Sequence, residues 1–190
     1  EMSASLVGSE MCIRDSSFSK LIAADPSGMD TYVELYVDLM KKMHATHVKP
    51  GDMPPMKDVA LEWARFLRDY LPADQAQKLV ALVEAVPERD TMLHGDYHTN
   101  NIVMQNNEVL IIDMDTLCVG HPVFELASMY LGFVAFGELD HSVTENFLKL
   151  PYETAGRFWE KALARYLDTQ DPERVREVER KAYSQGEAEI

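Results

Sequence analysis

Residues 93–115 read LHGDYHTNNIVMQNNEVLIIDMD, and here the residue pattern changes from helical to extended. Ile102-Val103-Met104 and Val109-Leu110-Ile111-Ile112 flank Gln105-Asn106-Asn107-Glu108, which predicts a short antiparallel hairpin around an Asn-Asn turn. With 105–108 as the loop, Met104 faces Val109, Val103 faces Leu110 and Ile102 faces Ile111. The same register carried outward sets Asn101 opposite Ile112 and Asn100 opposite Asp113. Neighbouring strands lie about 4.8 Å apart, so Asn101 and Asp113 should meet at the open end of the hairpin. Asp96 sits in the loop that enters this end. An amide oxygen and two carboxylates converging there form an oxygen-rich site suited to a hard cation such as Mg²⁺.

Helical patterns surround the hairpin. Apolar residues recur over 30–47 behind Asp30, read as an N-cap, and Pro50, Gly51, Pro54 and Pro55 then break the chain. A second helix is expected over Lys57–Tyr70 with Val59, Trp63, Phe66 and Leu67 on one side, and a third from Pro72 to Pro87. Helices resume at 122–136, 140–149, 151–168 and 172–184. The expected fold is mainly α with a small central β-hairpin.

Composition bounds the function. The chain has 190 residues, 46% of them hydrophobic, and 32 acidic against 18 basic side chains, for a formal charge of −14. Such a surface repels phosphate backbones and argues against nucleic-acid binding. No apolar run approaches the ~18 residues of a membrane span. Cys12 and Cys118 make no CxxC pair and support neither a disulfide scaffold nor a cysteine zinc site. A cytoplasmic protein is expected. Residues 1–16 carry no helical periodicity and no signal-peptide zones. Ser5–Ser16 resembles translated sequencing-adapter sequence, so 1–16 is expected to be a non-native tail and 17–190 the folded unit. Gln185 to Ile190 follows a charged helix without a clear stop, so a truncated C-terminus is also an expectation.

His94-Gly95-Asp96 with Asn101 resembles the HGDxxxxN catalytic loop of the aminoglycoside phosphotransferase and choline kinase superfamily, which has a protein-kinase-like fold. Ile112-Asp113 is similar to that family's metal-binding element, and Gly120-His121-Pro122-Val123-Phe124-Glu125-Leu126-Ala127 to its G-D-P-x-x-D-L-A segment. The resemblance spans roughly 18–185, with its specific part at 93–127. It implies ATP-dependent phosphoryl transfer to a hydroxyl of a small molecule, with a catalytic loop at 93–101 and a metal-binding segment at 112–115. Asp96 would orient the acceptor hydroxyl and take its proton. Asn101 and Asp113 would hold Mg²⁺ and, through it, ATP or another nucleoside triphosphate. A carboxylate of ordinary pKa, about 3.9, is a weak base, so positioning is expected to matter more than basicity.

Each of these residues also has a plainer reading. Asp96, Asn101 and Asp113 could cap turns beside a buried hairpin. His94 is expected to fasten the loop by a backbone hydrogen bond rather than transfer a proton, His98 to support the loop rather than bind metal, and Asp115 is either a second metal-side carboxylate or a helix N-cap. His121 and Glu125 replace two aspartates of the family pattern, and the longer Glu125 puts its bond to the loop backbone in question. His44, His47 and His141 read as surface or helix-end residues. Asp168, Asp171, Glu173, Glu177 and Glu179 read as a solvated acidic face, or else as an attractor for a cationic acceptor.

The resemblance also implies an N-terminal lobe bearing a five-stranded sheet, a phosphate-covering loop and a Lys–Glu pair. Nothing before residue 30 supplies these. The expectation is a C-terminal lobe lacking its N-terminal lobe, a fragment inactive alone, with exposed apolar surface where that lobe would dock. Two alternatives stay open: a metal-dependent phosphoesterase using His94, Asp96, His98, Asp113 and Asp115, and a non-catalytic pseudokinase-like binding module.

Overall fold

A computed structural model describes residues 16–186, with side chains described to Arg180. Residues 1–15, including most of the suspected tail and Cys12, lie outside the described residues, as does the end of the chain beyond Gly186. The described order is β1 (Ser16–Ser17), α1 (Phe18–Ala24), α2 (Met29–His44), α3 (Met56–Phe66), α4 (Ala73–Ala85), β2 (Met92–Leu93), β3 (Ile102–Gln105), β4 (Glu108–Ile111), β5 (Cys118–Val119), α5 (Val123–Tyr130), a π-helical turn (Leu131–Ala135), α6 (Phe136–Leu139), α7 (His141–Leu148), α8 (Tyr152–Tyr166) and α9 (Pro172–Gly186). The fold is mainly α with small antiparallel sheets, as the periodicities indicate.

The hairpin keeps the expected register, Ile102 to Ile111, Val103 to Leu110 and Met104 to Val109. Its turn is tighter than expected, because Gln105 and Glu108 also pair. Asn106 and Asn107 supply the bend with φ of 50° and 64°, the doubly left-handed turn that matches strand twist and that asparagine tolerates. The ladder extends one step outward, Ile112 N–H donating to the Asn101 carbonyl at 3.0 Å. Asp113 then turns left-handed (φ 59°, ψ 58°), which ends the expected Asn100–Asp113 pairing; Asn100 bonds the Phe147 carbonyl instead. On the other side of β3, β1 adds an edge strand through Ser16–Met104 and Ser17–Val103.

Most helix boundaries shift for local reasons. Helix α2 begins at Met29 because a 3₁₀ turn, Pro26–Gly28, runs into it; Asp30 is therefore in the first turn rather than at the N-cap, and bonds Lys161 at 2.7 Å. It ends at His44 because Thr46 and Val48 leave to pair with Met92 and Asp90. The expected 122–136 helix divides at the π-helical turn, where the buried Thr144 hydroxyl donates to the Gly132 carbonyl and competes with the helical ladder. On α3 the expected apolar side is corrected: Ala60 and Ala64 pack against Leu79 and Val83 of α4, while Trp63 and Phe66 are 63% and 55% exposed. Small residues allow the close α3–α4 approach, and the aromatics fall outside it.

Residues 48–90 leave and return at one place. Val48 N–H donates to Asp90 O at 2.8 Å, Met92 N–H to Thr46 O at 3.0 Å, and β2 pairs with β5 through Leu93 and Cys118. The α3–α4 hairpin is thus closed at its base, directly before the loop at 94–101.

The main core lies between α2, α5, the π-helical turn and α8, with Tyr36, Tyr97, Phe133, Phe158 and Trp159 almost fully buried. Tyr36 and Tyr97 clasp reciprocally: each hydroxyl donates to the other's carbonyl, at 3.0 and 2.7 Å. This pins the loop to α2. Removing one hydroxyl with Tyr97→Phe is expected to cost about 1–2 kcal/mol, read as a melting temperature lower by roughly 2–6 °C.

Candidate active site

The loop after β2 is built from the backbone outward. His94 is fully buried, and both of its ring nitrogens are engaged by the backbone. Asp96 N–H donates to Nδ1 at 3.2 Å, so the ring proton sits on Nε2 and donates to Ile112 O at 3.1 Å. His94 therefore fastens the loop to the end of β4 and has no nitrogen left for a metal. Gly95 has a φ of 83°, and a Cβ there would lie 2.4 Å from the Thr116 carbonyl oxygen, so this position requires glycine. The Thr116 hydroxyl closes the same contact by donating to His94 O at 2.8 Å.

Asp96 is held from one side. The Asn101 side-chain amide donates to the Asp96 carbonyl at 3.0 Å and to its Oδ2 at 3.2 Å, and His98 Nε2 lies 3.4 Å from that oxygen. Oδ1 stands outside these contacts on a side chain that is 42% exposed. Asn101 is buried, and its amide nitrogen is committed to Asp96. His98 Nδ1 accepts from Asn100 N–H at 3.2 Å, within the loop itself. Asp113 is exposed on its left-handed corner, and Asp115 lies inside the 3₁₀ turn Met114–Thr116, so the N-cap reading of Asp115 fails because the turn begins one residue earlier. Among the described residues no three His, Cys, Asp or Glu side chains gather as a metal cage.

Burial, opposed by the Asp96 carboxylate, holds His98 below its ordinary 6.5. The folded chain then takes up this proton less readily than the unfolded chain. The stability that His98 contributes is present above pH 6.5 and is lost as pH falls through its lowered pKa. Melting temperature should drop between about pH 7.5 and about pH 5.5, and drop less in His98→Gln; equal drops would assign the effect to other groups.

Glu125 does reach the loop. Its Oε1 accepts Gly95 N–H at 2.8 Å and its Oε2 accepts His94 N–H at 3.3 Å, with the residue only 2% exposed. The extra methylene is accommodated because His44 meets Oε2 from behind at 3.0 Å. His44 is thus a buried partner rather than a surface residue, lying four residues after Met40 on the buried stripe of α2. That spacing was the signal available in the sequence. Its Nδ1 lies 2.8 Å from the Tyr166 hydroxyl, a contact with no sequence signal. His121 Nδ1 accepts Val123 N–H and caps the start of α5. The acidic residues near the C-terminus are engaged locally: Asp168 with Lys41, Asp171 with Glu173 N–H, Glu173 with Arg176, and Glu179 with Trp159.

The profile of the APH phosphotransferase enzyme family matches residues 20–178, which include the loop at 94–101, Asp113, Asp115 and Glu125. The chain belongs to the phosphotransferase enzyme family. This membership accounts for a kinase-like arrangement in which a helical body carries a loop and a hairpin, and it places the activity in the phosphotransferase class. Solved structures similar to this phosphotransferase family member include a thermostable mutant of aminoglycoside phosphotransferase APH(4)-Ia in ternary complex with ADP and hygromycin B. It is 14% identical, with 92% of this chain and 70% of that chain covered and a TM-score of 0.49. Another is ADP-bound aminoglycoside phosphotransferase APH(2'')-Ib, at 15% identity, 92% and 69% coverage and a TM-score of 0.41. No curated protein matches the chain. Among the described residues, no helix is long and apolar enough to cross a membrane.

Proposed function

We propose that this phosphotransferase moves the γ-phosphoryl group of ATP, or another nucleoside triphosphate, to a hydroxyl of a small molecule, with Asp96 receiving the hydroxyl proton. The observation that carries the reading is the restraint of Asp96: Oδ2 faces Asn101 and His98 while Oδ1 remains open. One oxygen sets the orientation and the other can meet a hydroxyl, which suits a reaction that depends mainly on alignment.

With its amide nitrogen bonded to Asp96, Asn101 has only its amide oxygen to offer a ligand, and Asp113 offers an exposed carboxylate. This donor set fits Mg²⁺, whose remaining ligands would come from water and phosphate. When bound, Mg²⁺ would neutralise phosphate charge during transfer. The resemblance to two-lobed phosphotransferases supports a second lobe over the far face of the nucleotide, without which the described lobe would be inactive. The phosphoesterase reading loses support because both His94 nitrogens are already bonded and, among the described residues, no three histidines and carboxylates gather to hold a metal.

The test is transfer of labelled phosphate from ATP to a panel of hydroxylated small molecules, aminoglycosides included. It should be run on the 190-residue chain and on the chain extended by its upstream reading frame. Transfer by the extended form alone is the expected result. Phosphate release that needs no nucleotide would overturn the proposal in favour of an esterase, and transfer by neither form would leave a binding module.

A further inference from the structure

We infer that His44 and Tyr166 are positioning residues of the loop at 94–96, acting through Glu125. This rests on the reading of that loop as the one that presents Asp96. Three separated parts of the chain meet here: the last residue of α2, the first turn of α5 and the last residue of α8. A carboxylate accepts only, so His44 Nε2–H is the donor to Glu125 Oε2 at 3.0 Å. In the neutral ring Nδ1 then accepts from the Tyr166 hydroxyl at 2.8 Å. Burial, reinforced by the Glu125 charge, pushes the Tyr166 phenol up to about 12, so it keeps the proton it donates.

The chain of bonds runs from Tyr166 through His44 and Glu125 to the amides of Gly95 and His94. Its geometry explains why a glutamate serves at 125. The longer side chain could fold back in several rotamers, and the imidazole behind Oε2 selects the one that reaches Gly95. Without His44, the buried Oε2 would lose its strongest donor, and retraction of the carboxylate would free the Gly95 amide. The unbonded turn at Gly95, with its positive φ, would then be free to rotate the Asp96 carboxylate away from a hydroxyl.

Amide hydrogen exchange on the ¹⁵N-labelled full chain tests this. In His44→Ala, Gly95 and His94 amides should exchange at least about tenfold faster, while amides of the 102–111 hairpin keep their rates. His44→Gln, whose amide nitrogen can take the place of Nε2, should restore Gly95 to within about threefold of the parent rate. Unchanged Gly95 exchange in His44→Ala would overturn the inference, as would equal acceleration across the hairpin or failure of glutamine to restore protection. Should His44→Ala not fold, Tyr166→Phe carries the same test, with Gly95 exchange expected to rise at least about twofold and an unchanged rate overturning the inference. The readout is a backbone amide, so absence of phosphoryl transfer would sink the proposed function without moving it.

Discussion

Alanine at position 96 is expected to reduce phosphoryl transfer by about two to four orders of magnitude while nucleotide affinity changes less than about threefold. The asymmetry follows from the contacts. Oδ2 is held by Asn101 and His98, and on the proposed function Oδ1 would meet the acceptor, so removing the carboxylate should affect alignment and proton acceptance without touching the nucleotide side. The fold should survive, because the Asp96 backbone keeps its bonds to His94 Nδ1 and to the Asn101 amide. Steady-state rates of the extended chain, with ATP varied at saturating acceptor, separate the two quantities. Near-normal turnover in Asp96→Ala would remove Asp96 from the reaction, and a loss confined to nucleotide KM would move it to the metal side.

Removing the carboxylate at 113 should act on the other substrate. Asp113→Asn is the informative change, because asparagine tolerates the left-handed backbone that Asp113 adopts and so keeps the corner intact. Nucleotide affinity measured with Mg²⁺ is expected to fall by more than about tenfold, and affinity measured in excess chelator should stay the same. Asn101→Ala should combine a smaller loss of this kind with lower turnover, since the same side chain restrains Asp96. Equal losses with and without Mg²⁺ in Asp113→Asn would mean that Asp113 supports structure rather than a metal.

The hairpin and the loop at its mouth were legible because they depend on short-range rules. β-branched runs about two asparagines define a register, and that register reaches Asn101 and Ile112 as expected. It failed at Asp113, where the backbone turns left-handed and period-two reasoning no longer applies. The partners of Glu125 were out of reach for a different reason. His44 and Tyr166 lie 81 and 122 positions from the residues they bond, Glu125 and His44, and only packing of α2, α5 and α8 brings them together. Periodicity could mark His44 as lying on a buried stripe, but not name its partner. Similarly, the apolar side read on α3 took in two exposed aromatics, Trp63 and Phe66, while the alanines at 60 and 64 make the close contact with α4. The π-helical turn depends on Thr144 reaching across from α7, a competition that no pattern within 122–136 could reveal.

The closure of residues 48–90 at its base has an evolutionary consequence. Because Val48 and Asp90 are hydrogen-bonded and β2 is anchored by β5, the α3–α4 hairpin behaves as a cassette plugged into a fixed socket. Its length and lining could be exchanged among descendants of one ancestor while His94, Gly95 and Asp96 keep their places.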